Sequence, residues 1–478
     1  MKRMLFLWHR WMGLFGCLLM VLWFVSAFIM MYVPFPNLYD EERLAHLTPL
    51  SPNPTPIHPA AVLRQLHSEQ VLRLTLKNLN DQPIYAIQTA QGWRGVSAID
   101  GSGIQVDAHS AMRSASNFSG TAAQSATLID IDQWSVSSSL DAHRPLWVVP
   151  MENGDVHYVS SRTGELVRDT SRVERWLGWL GSVVHWVYPT DLRKRAELWH
   201  WVVVVLSSYA LLTAILGTVI GLMRWRPTGY ARGNQTPYTG LLRQHHVLGL
   251  LAAVVILSWL LSGLLSMNPL KVFSNGSFTM EEKSRWRGGS LATIAELQDR
   301  PIGFKPSKLS ALNQVQHPVT EIEFFPFKNE LHLWLRGPQG QSTLTAQTGA
   351  AVVWDAEAVS QATQRYTSTA IAALQKLDEF DAYYYARDAK KPLPIWRVEL
   401  DDPHKTWLHV DASNGQLLGK LDTSRRAQRW LYNGLHSWDF DWLLQRRPLW
   451  DIVMLAALML GTWFSMTSAI LAWRRIKL

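Results

Sequence analysis

Four stretches of this sequence, about Trp11 to Val33, Leu198 to Met223, Val247 to Met267 and Ile452 to Trp473, are each apolar over close to the ~20 residues a helix needs to cross a bilayer. Lipid offers the backbone no hydrogen bonds, so such stretches are expected as helices. The first follows Lys2 and Arg3 as a secretory signal would. Its apolar part is too long for one, however, and no small-x-small cleavage site closes it, so it reads as a retained span. An even number of spans puts both chain ends on one side. Lys2, Arg3 and Arg10, then Arg224, Arg226, Arg232 and Arg243, then Arg474, Arg475 and Lys477 gather at those ends and at the short middle loop. The positive-inside rule assigns them to the cytoplasm.

The two long polar segments, roughly 34–196 and 269–448, then lie outside a bacterial inner membrane, in the periplasm. The expected order is a span (1–33), a polar domain (34–171), an amphipathic surface segment (172–196), a span (197–224), a cytoplasmic loop (225–243), a span (244–268), a second polar domain (269–424), a second amphipathic segment (425–448), a span (449–473) and a tail (474–478). The net charge of +8 calls for no nucleic acid, because much of it flanks spans, where topology and anionic lipid account for it. Cys17 is the only cysteine and sits inside the first span, which excludes disulfides, Cys-rich zinc sites and haem attached through C-x-x-C-H.

The chain contains an internal repeat. "HRWMGLFGCLLMVLWFVSAF" from His9 aligns without a gap to "HHVLGLLAAVVILSWLLSGL" from His245, matching His9 with His245, Gly13 with Gly249, Trp23 with Trp259 and Ser26 with Ser262. "RWLGWLGSVVHW" from Arg175 matches "RWLYNGLHSW" from Arg429 across a two-residue gap, which sets His185 opposite His436. The following spans open alike, with "LWHWVVVV" at Leu198 and "LWDIVMLA" at Leu449, so His200 faces Asp451. The polar segments correspond as well. "PLWVVPMENGDVHYVSSRTGELV" from Pro145 parallels "PIWRVELDDPHKTWLHVDASNGQLL" from Pro394, each reading as alternating strands with a turn at Gly164 or Gly415. Upstream, "PAAVLRQLHSE" and "SKLSALNQVQ" read as short amphipathic helices, followed by strands "VLRLTLKNL" with "PIYAIQT" and "VTEIEFF" with "LHLWLRG". The fold class expected is therefore an integral membrane protein with four transmembrane helices in two span–domain–span repeats, each domain α+β with an antiparallel sheet plus helices.

The strand and turn ending Asp411-Ala412-Ser413-Asn414-Gly415-Gln416-Leu417-Leu418 resembles the D-x-x-T-G-E-(L/V) close of a PepSY domain, and Ser160-Ser161-Arg162-Thr163-Gly164-Glu165-Leu166 is similar. Fainter versions stand at Thr348-Gly349 and Asp100-Gly101. Together with H-R-W-x-G-L at the first span and the R-W-L…H segments, nearly the whole chain resembles the PepSY-associated transmembrane proteins, a group that includes siderophore reductases of the ferrioxamine type. The departures are Ser160 in place of Asp in the first turn, a second histidine at His246, and His200 without a histidine counterpart. The resemblance implies haem, iron reduction and a periplasmic ferric siderophore or other iron chelate as the substrate.

Of the sixteen histidines, His46, His58, His67, His109, His143, His157, His317, His332, His404 and His409 lie in the polar domains, where a solvated or hydrogen-bonded role is the simpler account. His9, His185, His200, His245, His246 and His436 lie in or beside spans, where ionisable groups are costly and become functional candidates. A pseudo-two-fold axis along the membrane normal would bring His9 face to face with His245 on the cytoplasmic side and His185 with His436 on the other. Two imidazoles on a flat macrocycle make a bis-histidine b-type haem, and two such haems at different depths make an electron relay. His200 is expected as a substitute for His185 or as the ligand of a third haem, with Asp451 in a supporting hydrogen bond to a ligand imidazole. His246 points about 100° from His245 on a helix, so only one of them serves a given iron, with His245 favoured by the register. Zinc would want four donors together rather than pairs on opposite sides. Gly13 and Gly249 read equally as sites of close porphyrin approach or of ordinary small-residue helix packing.

Arg193-Lys194-Arg195 and Arg446-Arg447 break the positive-inside rule at matching places, which suggests bidentate clamps on haem propionates or, as readily, headgroup snorkelling. Arg10 is the equivalent candidate for the inner haem. Most of the 24 tryptophans fall at span ends, where an aromatic belt accounts for them. The run "DEFDAYYYARD" from Asp378 to Asp388 reads first as a solvated helix end or loop, with contact to a ferric ligand or partner as its other role. No nucleotide-binding or zinc-protease motif is visible, so reducing equivalents would come from a cytoplasmic flavoprotein or quinol. The competing functions are a non-redox PepSY anchor that binds peptides or restrains a peptidase, and a scaffold subunit of an iron-uptake system.

Overall fold

The structure, a computed structural model, describes residues 2–51, 54–66, 71–230, 233–289, 291, 317–327, 330–346, 348–387 and 391–477. The predicted helix "SKLSALNQVQ" lies outside the described residues. Four helices are long and apolar enough to cross a membrane: α1 (Lys2–Met30), α2 (Ala196–Arg224), α3 (Gly240–Ser266) and α4 (Leu449–Ile476). Each runs beyond the apolar stretch read from the sequence at one or both ends, because a helix that meets its own backbone hydrogen bonds has no reason to stop where side chains turn polar. α1 packs against α2 and α4, and α3 packs against the same two, so α1 and α3 occupy opposite corners of a four-helix bundle. Phe24, Ala210, Ala252, Ile256, Leu260 and Leu458 form its core. The approach of α1 to α4 depends on Gly461, where an added Cβ would stand 2.0 Å from the Phe24 ring.

Between α1 and α2 come strands β1 (Val71–Leu79), β2 (Gln82–Thr89), β3 (Gly92–Ser97), β4 (Thr127–Ile129), β5 (Leu146–Pro150), β6 (Val156–Ser160) and β7 (Leu166–Thr170). Between α3 and α4 come β8 (Glu321–Phe327), β9 (Glu330–Gly337), β10 (Gly340–Thr345), β11 (Ile371–Leu377), β12 (Ile395–Leu400), β13 (Trp407–Asp411) and β14 (Leu417–Leu421). All the pairings are antiparallel. The β1–β2 hairpin closes on Asn80 and Asp81 at φ 50° and 67°, the positive pair that a two-residue turn matched to strand twist requires. Gly164 and Gly415, the glycines expected at turns, have φ of 73° and 69°. A Cβ on Gly415 would stand 2.1 Å from Trp354.

The polar segments do not build two separate sheets, as their sequence correspondence suggests. β4–β7 and β11–β14 each form a four-stranded sheet, but the remaining six strands join in one sheet of order β10-β9-β8-β1-β2-β3. β1 pairs with β8 at its centre, Leu76 opposite Ile322 and Lys77 opposite Glu321. Leu74, Leu76, Tyr85, Ile322, Phe324 and Leu335 are buried beneath this seam. Had each β1 and β8 remained an edge, its row of unpaired backbone groups would invite another strand, and pairing them removes both edges at once.

The seam carries a buried charge cluster. Glu321, 1% exposed, accepts from Lys77 Nζ, Arg43 Nη1 and Arg336 Nη1, each at 2.8 Å. Lys77 also reaches Glu165 at 2.6 Å, and Arg73 holds Glu323 at 2.8 Å. Burial alone would raise the Glu321 pKa, but the Lys77, Arg43, Arg336 and Arg73 charges override it and hold the carboxyl well below its usual range.

Candidate functional site

Because α1 and α3 are diagonal, residues on their inner faces meet across the bundle interior. His9 and His245 do so, with ring centroids 6.4 Å apart and planes inclined at 35°. The second predicted pair comes from the segments that precede α2 and α4. A helix at Arg172–Gly178, capped by a Ser171–Glu174 box, runs into a π-helical turn at Trp179–Val183 that packs on α1. A helix at Thr423–Gln428 runs into another at Arg429–Gly434 that packs on α3. Each wide turn delivers a histidine just beyond it. The rings of His185 and His436 lie 6.2 Å apart at 71°. Behind them Trp199 Nε1 donates to the Trp186 carbonyl and Trp450 Nε1 to the Ser437 carbonyl, both at 3.0 Å, tying each turn to the span that follows.

Two imidazoles bound to one metal from opposite sides, at about 2.0 Å per bond, hold their ring centres about 6 Å apart. Ordinary aromatic contacts also span about 4.5–7 Å, so spacing alone does not decide between them. The hydrogen bonds add the orientation of each ring. Ser26 Oγ donates to the Trp23 carbonyl at 3.0 Å and so accepts from His185 Nδ1 at 3.1 Å. Ser262 Oγ donates to the Trp259 carbonyl at 3.1 Å and accepts from His436 Nδ1 at 3.0 Å. In the inner pair His9 Nδ1 donates to the Thr213 carbonyl at 3.2 Å, and His245 Nδ1 lies 3.3 Å from both Thr467 Oγ1 and Ser468 Oγ, whose own protons go to the Phe464 carbonyl. The Thr213 carbonyl can only accept, so His9 carries its proton on Nδ1, and the hydroxyls beside the other three, each within reach of a helix carbonyl for its own proton, suit the same tautomer, with Nε2 and its lone pair left without a hydrogen-bond partner among the described residues. Metal-binding histidines are held in this way. Burial pushes the pKa of His185 and of His436 down to about 4, so both stay neutral with that lone pair available.

A cavity of about 550 Å³ adjoins His185 and His436, lined by side chains such as Met20, Trp23, Met31, Trp259 and Tyr432. Its volume is within the roughly 300–1,000 Å³ of cofactor pockets, and its walls are apolar and aromatic. The donors at this cavity are two imidazoles, the set that a bis-histidine haem uses. The outer pair fits haem on these grounds. The inner pair has the same spacing and tautomer. His245 stacks on Phe464 at 4.9 Å, and His9 lies edge-on to Gly217, where a Cβ would come within 2.5 Å of its Cε1. Gly13 faces open space, whereas Gly249 packs against Phe464, so the two aligned glycines have parted in role.

Other predicted residues lie elsewhere. His246 spends both nitrogens, with Nδ1 2.7 Å from Thr236 Oγ1 and Nε2 2.9 Å from the Gly221 carbonyl, and so has no lone pair for iron. His200 stands against Trp201 and does not line the cavity. Asp451 supports no imidazole, because Arg447 takes it at 2.7 Å; the supporting contacts come from the serines. None of Arg10, Arg193, Arg195, Arg446 and Arg447 lines the cavity. Arg193 lies over Tyr188 and Trp199, and Arg447 over Trp450, so these two stand behind the cavity walls, while Arg10, Arg195 and Arg446 are exposed. The arginine that does line the cavity is Arg387, from the tyrosine-rich run read as solvated. The run is a loop whose acidic start at Asp378 to Phe380 is exposed and whose tyrosines are held in: Tyr384 is buried, and Tyr385 donates to Asp439 at 2.9 Å with Arg387 Nη1 3.7 Å from the same carboxylate. The three tyrosines were the available signal, since a solvated loop has little use for them. No model of a known protein family matches the chain, and no curated protein matches it.

Proposed function

We propose that this protein is a di-haem b-type electron carrier of a bacterial inner membrane, with both termini cytoplasmic, that takes electrons from a cytoplasmic flavoprotein or quinol and reduces ferric iron held by a periplasmic siderophore or similar chelate. The observation that carries the reading is that two histidine pairs, each split between the halves of the chain, bring their rings to centroid separations of 6.4 and 6.2 Å, with hydrogen bonds at Nδ1 of every ring. The element order, which runs alike through both halves, supports reading them as two span–PepSY–span repeats.

His9 and His245 would hold the inner haem, and His185 and His436 the outer. Haem iron ligated on both sides cycles between ferric and ferrous states without an open position for oxygen. About 25 Å of helix separates His9 from Ser26, and the same length separates His245 from Ser262, which spaces the pairs across most of a hydrocarbon core about 30 Å thick. The chain's own contribution is to bind, orient and keep water out: apolar walls surround the outer pair, and Arg387 at the cavity's margin suits a propionate. Iron released from hard oxygen ligands follows its reduction, since Fe²⁺ carries less charge.

Protein purified after haem-sufficient expression is expected to show a low-spin Soret band and two haems per chain, and its dithionite-reduced form to reoxidise when ferric siderophore is added under nitrogen. Absence of any Soret band overturns the reading.

A further inference from the structure

The outer pair has a feature that the bis-histidine reading does not require. Each of its imidazoles rests on a serine, and the two serines are buried, Ser26 at 1% and Ser262 at 0% exposure. They occupy matching places on α1 and α3, and they do the same thing with the same geometry: each donates three residues back to a tryptophan carbonyl and accepts from the Nδ1–H of the histidine across from it. An isolated serine in a helix commonly bonds back to a carbonyl. Two that do so while receiving an imidazole proton form a relay with one direction, from imidazole N–H to hydroxyl to carbonyl. A hydroxyl that has given its proton to a carbonyl is a better acceptor, since hydrogen bonds in a chain polarise one another.

We propose that Ser26 and Ser262 are positioning residues that hold His185 and His436 in the Nδ1–H tautomer and set the reduction potential of the outer haem. The proposal rests on the haem reading above. An acceptor on Nδ1–H pushes electron density toward Nε2, which strengthens donation to iron and favours the ferric state. The serines therefore hold the outer potential down. The inner pair is served differently, with a backbone carbonyl beneath His9 and two hydroxyls beneath His245. No point mutation removes the acceptor on His9. Side-chain acceptors thus stand beneath both imidazoles of the outer pair and beneath only His245 of the inner one.

The test is a potentiometric titration of the full-length holoprotein in detergent, following the two haems separately by absorbance and by the low-spin EPR signal. Ser26→Ala and Ser262→Ala are each expected to raise one midpoint potential by the equivalent of a roughly tenfold shift toward the ferrous form, about 59 mV for one electron, and to leave the other unmoved. Ser26→Thr, which keeps the hydroxyl, is expected to restore it. Loss of the outer haem in an alanine variant with return in the threonine variant supports the same role. Two haems with unchanged potentials in both alanine variants overturn the proposal and leave the haem reading intact, as does a loss that threonine does not repair. A wild-type protein without haem overturns the function itself.

Discussion

In the helical bundle the two halves of the chain meet like to like: His9 faces His245, His185 faces His436, and Ser26 and Ser262 stand behind the second pair in the same pose. In the extramembrane sheet they meet unlike to unlike, Lys77 on β1 opposite Glu321 on β8, with Arg43, Arg73 and Arg336 around the carboxylate. The contrast follows from what each contact has to hold. On the di-haem proposal, one metal between two ligands would be served by identical groups on its two sides. A buried carboxylate is served only by cations, so sameness across the seam would place like charges together in a low-dielectric interior. The bundle is where the halves gain from staying alike, and the seam is where they gain from differing.

The largest expected effects come from breaking likeness in the bundle. His185→Ala or His436→Ala is expected to cost one haem equivalent out of two, as is His9→Ala or His245→Ala, each leaving the other site's spectrum in place. Pyridine haemochrome counts on the four variants check this. Equal haem content in all four and in the parent would separate the pairs from cofactor binding altogether.

Breaking the unlikeness of the seam is the next largest. Glu321→Ala removes the carboxylate at the centre of the cluster, leaving Lys77 with Glu165 alone and Arg336 with Asp40 alone, and is expected to destabilise the extramembrane sheet by about 3 kcal/mol, read from denaturant unfolding in detergent. The pH dependence has the same origin. Glu321 titrates well below its ordinary 4.5, so its contribution is complete above that value and is lost as pH falls through the lowered pKa. The buried histidines, lowered from 6.5, lower the midpoint of every variant as pH falls below 6.5, so the Glu321 share is read as the difference between the parent and Glu321→Gln, constant above about pH 5 and shrinking below 4.5. Haem content, set in the bundle, should not follow the seam.

How far the sequence disclosed this contrast depends on the range of each contact. The long apolar helices, strands β1, β2, β5, β6, β8, β9, β12 and β13 and the turns at Gly164 and Gly415 were legible because hydropathy, alternation and turn chemistry are local, whereas the short or exposed β3, β4, β7, β10, β11 and β14 carried no such signal. The histidine pairs were legible through the internal repeat, His9 with His245 in a gapless register and His185 with His436 across a two-residue gap, which carries long-range information in a local comparison. Nothing local told that β1 would seek β8, since an alternating strand does not name its partner. The serines matched in the same register, yet their role needed the fold back of His185 and His436 onto α1 and α3. His246 could be demoted only when Thr236 and Gly221 arrived from elsewhere in the chain.

A smaller expected effect sharpens the comparison by separating bundle packing from bundle chemistry. His246 sits beside His245 in sequence and is buried, but its nitrogens are committed to Thr236 and Gly221. His246→Ala is expected to keep two haems and both potentials while losing about 1–3 kcal/mol of stability, because it leaves the Gly221 carbonyl and the Thr236 hydroxyl without their partner. Loss of a haem in this variant would move the inner ligand from His245 to its neighbour.

The smallest effect falls on two residues that the sequence offered supporting roles, Arg447 as a propionate clamp or snorkelling side chain and Asp451 as a hydrogen-bond partner of a ligand imidazole. Arg447 and Asp451 lie one turn apart at the head of α4, with Arg447 about half exposed and leaning on Trp450. An exposed ion pair at that spacing contributes about 0.3–0.5 kcal/mol, since water and salt screen it and two long side chains lose freedom to hold it. Arg447→Ala and Asp451→Asn are therefore expected to leave haem content, both potentials and the pH profile unchanged, with stability moving by no more than about 0.5 kcal/mol. A shifted outer potential in Asp451→Asn, measured in the same titration as the serine variants, would return the carboxylate to the service of an imidazole and take that role from Ser26 and Ser262.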